Sequence, residues 1–73
     1  MTLRELREAA GLTQEEAAAK TTTLHQTTIS QLELGKVPEP RHSTLKALAA
    51  IYNVPVEDVA RALAESIRDS EAA

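Results

Sequence analysis

The chain has no Cys, no Trp and no Phe, and only one Tyr among its 73 residues. Without cysteine there is no disulfide framework and no thiolate metal site, and the two His are too few to expect a metal centre of another kind. A single aromatic excludes the base-stacking platform that single-strand and RNA binders use. No apolar run is long enough for a signal peptide or a membrane span, so the chain is expected to be cytoplasmic, with no membrane contact. A phosphate-cradling Gly-rich loop is also missing, as is any nucleophile and base with an orienting third group. Glu15 and Glu16 are adjacent and point to different sides of a helix. Neither enzymatic activity nor a cofactor is expected.

What remains is a small domain with an uneven charge distribution. A chain of this length buries only about 60% of its unfolded surface, so its core is small. The net charge of −3 opposes phosphate binding at first sight. However, residues 1–53 balance six basic side chains (Arg4, Arg7, Lys20, Lys36, Arg41, Lys46) against six acidic ones (Glu5, Glu8, Glu15, Glu16, Glu33, Glu39). The whole excess lies in residues 54–73, where Glu57, Asp58, Glu65, Asp69 and Glu71 outnumber Arg61 and Arg68. A surface built from the first part carries no net repulsion for an anion.

The hydrophobic spacing predicts five helices. Helix 1 runs from near Thr2 to Ala10, with Leu3, Leu6 and Ala10 on one face and Gly11 as its stop. Helix 2 spans Thr13 to about Lys20 and opens on a capping box, Thr13 with Glu16 three residues on. Helix 3 runs from His25 or Gln26 to Leu34 and ends at Gly35. Pro38 and Pro40 make residues 35–42 an extended loop. Helix 4 begins near residues 41–43, carries Leu45, Leu48, Ala49 and Tyr52 on one face, and stops at Asn53. Helix 5 opens at Pro55, with Glu57 and Asp58 complementing its dipole and Val56, Val59, Leu63 and Ile67 as its apolar stripe. The expected organisation is one domain over residues 1–68, with residues 69–73 fraying.

Helices 2 and 3 are too short to stand alone in water, and with the Thr-rich turn between them they read as a helix-turn-helix packed within a bundle. On helix 3, Ile29 and Leu32 mark the core side at about 100° per residue. The opposite side holds Gln26, Thr27, Ser30, Gln31 and Leu34. Amides and hydroxyls both donate and accept, which suits base edges in the major groove. A solvated polar face is the bland alternative, and it is the commoner one for such a surface in isolation.

The segments LRELREAAGLTQEE, TTISQLELGK and STLKALAAIYNVPVEDV, in this order, resemble the Cro/C1-type helix-turn-helix family over about Leu3 to Val59. The family usually has a bulky aliphatic residue and Gly in the turn where this chain has Thr21, Thr22, Thr23 and Leu24, and at least one Leu on helix 2 where this chain has Ala17, Ala18 and Ala19. The resemblance implies a compact all-α five-helix bundle of the lambda-repressor-like type. It also implies sequence-specific binding of double-stranded DNA, as a transcriptional regulator, most often a repressor. Base reading falls to Gln26, Thr27, Ser30 and Gln31, and phosphate contacts to Thr13 and Gln14 at the start of helix 2 and to Lys36 and Arg41 in the loop after helix 3. For Lys36 and Arg41 a solvated loop charge is an equal reading. His25 borders helix 3 and His42 the loop. The family often joins the positions of Arg7 and Glu33 in an ion pair, read here as structural.

Assembly is the remaining expectation. A core this small is expected to cover only the first part of the helix 5 stripe, leaving Leu63 and Ile67 for a homodimer on a palindromic operator. The alternative folds both onto helix 1 of their own chain. A rival function, from another class, keeps the fold but uses it to hold a protein partner, as an antitoxin or anti-regulator does. The acidic C-terminal segment and the neutral helix 3 face favour it.

Overall fold

The computed structural model describes residues 1–37 and 39–72; Pro38 of the expected loop and Ala73 of the expected tail lie outside them. Every regular element among the described residues is helical: α1 (Leu3–Ala9), α2 (Gln14–Ala19), α3 (Gln26–Glu33), α4 (His42–Tyr52) and α5 (Val56–Ala72). The chain is an all-α five-helix bundle.

Local chemistry sets the helix boundaries. Both Thr2 and Thr13 form complete capping boxes. Thr2 Oγ1 accepts from the Glu5 amide at 3.2 Å and the Thr2 amide donates to Glu5 Oε1 at 2.8 Å, while Thr13 and Glu16 do the same at 3.1 and 2.9 Å. Thr2 and Glu5 thus repeat the spacing expected of Thr13 and Glu16. These bonds hold the Glu5 and Glu16 carboxyls below the usual range, chiefly through the backbone amides of Thr2 and Thr13.

Left-handed residues close three helices: Gly11 and Gly35 at φ +74° and Asn53 at φ 56°. At each, an amide reaches back five residues, from Leu12 to Arg7 O at 3.3 Å, from Lys36 to Gln31 O at 3.0 Å and from Val54 to Ala49 O at 3.0 Å. Pro55 stands just before α5, its carbonyl accepting from Asp58 at 3.0 Å.

The amphipathic α5 packs on α4, α1 and α3, while α2 packs on α3. Leu3 and Leu6 of α1, Ala17 of α2, Ile29 and Leu32 of α3, Leu48, Ala49 and Tyr52 of α4, and Val59, Ala62 and Leu63 of α5 make the core. Leu24, from the Thr-rich turn, joins them and is only 5% exposed. Ala10, by contrast, is exposed, so the buried face of α1 ends at Leu6 and Arg7.

One expectation for α5, a stripe left open at Leu63 and Ile67, is corrected. The helical geometry itself runs to Ala72, past the expected boundary at Arg68. Its last part is packed: a Cβ built on Gly35 would stand 2.9 Å from Ser66 O, 3.0 Å from Ile67 Cα and 3.0 Å from Ser70 Cβ, so the end of α3 lies directly against this stretch. Leu63 is buried in its own chain at 7% exposure, and Ile67 is half-buried against the same core. The stripe therefore turns inward over its length. Ser66, also buried, donates its hydroxyl to Ala62 O and accepts from the Leu3 amide, both at 3.0 Å, which ties the start of α1 to α5. The Met1 ammonium pairs with Glu65 on the same side.

Candidate nucleic-acid interface

The burial of Ile29 and Leu32 fixes the rotation of α3, and with it what α3 presents to solvent. Gln26, Thr27 and Gln31 are exposed and Ser30 is half-buried. Because α2 packs across α3, its first residue, Gln14, comes beside them. Gln14, Gln26, Thr27, Ser30 and Gln31 line one open concavity. No carboxylate lines it, so nothing on its walls repels a phosphate-bearing ligand.

A second concavity adjoins the first through Gln14 and Ser30 and is completed by Arg4, Arg7, Glu33 and Leu34. Arg4 did not figure among the expected site residues, and Leu34 figured only as part of the outer face of α3. Arg4 lies one turn before Arg7, and that spacing alone places it on this side of α1. Leu34 is 52% exposed, a large apolar side chain left at the edge of an otherwise polar surface.

Beneath this surface lies an ion pair. Arg7 Nε donates to Glu33 Oε2 at 2.7 Å and Arg7 Nη2 to Glu33 Oε1 at 3.3 Å, with side-chain exposures of 12% and 6%. Arg7 Nη1 also donates to Leu12 O at 2.8 Å, and Gln14 Nε2 donates to Glu33 Oε1 at 3.1 Å. The fork of the guanidinium matches the carboxylate, and further partners satisfy both groups. The hydrogen bond to Glu33 raises the Arg7 pKa above its ordinary value. Tyr52 is pushed up to about 12, first by burial and then by the nearby Glu33 charge, with Arg7 acting in the opposite direction.

The other expected contacts lie apart. Thr13 caps α2, its oxygen occupied by the Glu16 amide. Lys36 and Arg41 are exposed at the two ends of the loop after α3, and neither lines the concavity. His25 occupies the N-cap position of α3 without a side-chain cap bond. Among the described residues no group of three or more His, Asp or Glu side chains is placed to hold a metal ion, and no helix is long and apolar enough to cross a membrane.

The sequence profile of the family described as "Helix-turn-helix domain" matches residues 1–62. The chain belongs to the helix-turn-helix domain family. The match covers α1 to α4 and the first part of α5, so it includes every residue of both concavities. Helix-turn-helix domains are DNA-binding modules that place their second helix toward the groove. No curated protein and no solved structure matches the chain.

Proposed function

We propose that this helix-turn-helix domain is a Cro/C1-type regulator that binds duplex DNA sequence-specifically and acts as a repressor. The observation that carries the reading is the shared concavity of Gln14 with Gln26, Thr27, Ser30 and Gln31. It joins one residue at a helix start, suited to the phosphate backbone, with a row of side chains suited to base edges. Gln26 and Gln31 each present an amide for bidentate pairing with adenine, and the Thr27 methyl is available for a thymine methyl. Lys36 and Arg41, outside the concavity, take phosphates on the flank, with Thr13 beside Gln14.

One chain reads one half-site. It carries one recognition helix, α3, so a palindromic operator with half-sites about 34 Å apart takes a homodimer. The pairing surface excludes Leu63, whose burial belongs to its own core.

Selection of bound duplexes from a random pool tests the reading. A single enriched, two-fold symmetric site is the expected result. On that site Gln26→Ala and Gln31→Ala each weaken binding by about 1–3 kcal/mol while non-specific affinity holds. Lys36→Ala and Arg41→Ala weaken binding to all duplexes and lower the salt slope by about 0.9 for each phosphate lost. If no duplex is enriched, the domain's partner is a protein and the acidic side of α5 becomes the surface to probe.

A further inference from the structure

Gln14 belongs to two environments at once. Its side chain lines the concavity with Gln26, Thr27, Ser30 and Gln31, and its Nε2 donates to Glu33 Oε1 at 3.1 Å. A carboxylate only accepts, so the nitrogen side of the amide must face Glu33 and the carbonyl side must face away. Nε2 carries two hydrogens. One is held by Glu33, and the other remains to donate outward.

Glu33 is itself immobilised. Both of its oxygens take Arg7, which is anchored in turn on Leu12 O at 2.8 Å, and its side chain is 6% exposed. A chain of contacts thus runs from the core ion pair to a side chain on the ligand-facing surface. A free glutamine would have to give up its rotamer freedom when it met a ligand; one already held has less to lose.

We propose that Glu33, clamped by Arg7, is a positioning residue that orients the Gln14 amide toward the DNA backbone before contact. The ion pair then sets part of the DNA affinity in addition to supporting the fold. This rests on the DNA-binding reading given above. Near-isosteric apolar replacement of both partners, Arg7→Met with Glu33→Met, removes the clamp without leaving a buried charge unpaired. On the selected operator the paired replacement is expected to weaken binding about 3- to 10-fold, and Gln14→Ala by a similar factor. The triple variant is expected to be no weaker than Gln14→Ala alone, because both changes remove the same held amide. Unchanged affinity in a paired variant with native circular dichroism, or losses that multiply in the triple variant, would overturn the proposal.

A second measurement needs neither variant nor DNA. In the free wild-type protein the Gln14 side-chain amide should give two well-separated proton signals in a nitrogen-correlated spectrum, one of them slow to exchange. Two signals at the positions of a free glutamine amide, exchanging as fast as those of Gln26 and Gln31, would show that Glu33 does not hold it. Failure of the DNA reading appears separately, as the lack of any preferred duplex, and the amide spectrum decides the orienting contact in either case.

Discussion

Gly11 and Gly35 share a φ of +74° but not their surroundings, which makes them a matched pair for weighing one contact. A Cβ on Gly11 meets nothing within 4 Å, so Gly11→Ala carries only the left-handed backbone term. That term is about 1–2 kcal/mol, partly offset by the smaller entropy of the unfolded alanine chain, about 0.4–1 kcal/mol. Gly35→Ala carries the same term and a collision with α5 at 2.9–3.0 Å. Two of the three atoms met, Ser66 O and Ile67 Cα, are backbone and cannot rotate aside, so α5 must shift as a body. Overpacking of this kind adds about 1–3 kcal/mol, for a total of about 1–5 kcal/mol. A domain of 73 residues has about 4–11 kcal/mol in all. Urea titration followed by circular dichroism at 222 nm resolves the two variants. With a slope near 1 kcal/mol per molar, the Gly11→Ala midpoint should fall by about 1.6 M or less and the Gly35→Ala midpoint by about 1–3 M more than that. Equal midpoints would mean that α5 does not bear on Gly35, and that its last turns are not held as described.

Other predictions probe the core and the caps. Leu63→Glu places an unpaired carboxylate in the core and should unfold most of the protein at neutral pH, read as lost helical signal; a folded monomer would return Leu63 to the surface. Tyr52 is the only tyrosine, so tyrosinate absorbance near 295 nm reports it alone. With its pKa pushed up to about 12, about a tenth should ionise at pH 11 in the folded protein, against about nine tenths in denaturant. Because folding favours the neutral phenol, this contribution to stability is complete below pH ~10 and is lost as pH rises toward 12. The Glu5 and Glu16 carboxyls are lowered instead, so folding favours their charged forms. Their contribution is present above the ordinary glutamate value near 4.3 and is lost as pH falls through the folded values. Glu5→Gln with Glu16→Gln should therefore flatten the fall in melting temperature between about pH 5 and 3, and an unchanged profile would remove the caps as its cause.

The parts of this molecule legible in the sequence are those fixed by near neighbours in the chain. Thr13 with Glu16, Gly35, Asn53 and the spacing of Ile29 and Leu32 each determine a cap, a stop or a rotation within a few residues, and the five helices follow. Which α3 residues face solvent was legible for the same reason. What escaped depends on packing between distant segments. Leu24 looks like a turn residue, yet it is buried with the core. Ser66 looks like a helix-surface serine until its hydroxyl is seen to accept from Leu3, sixty-three positions away.

Helix 5 shows what a local rule leaves out. Its charged end, Asp69 to Glu71, carries no apolar anchor, and composition alone leaves it unsupported. The missing support comes from a glycine. Because Gly35 has no side chain, the close of α3 approaches α5 to contact distance at Ser66, Ile67 and Ser70, and the helix is held where its own sequence offers little to hold it. Leu63 is buried in the same core and Ile67 is half-buried against it, so most of the apolar stripe is covered within one chain. Any pairing of two such domains on DNA must then be built from the outer surface, where Leu34 at the rim of the concavity is the largest exposed apolar side chain after Met1.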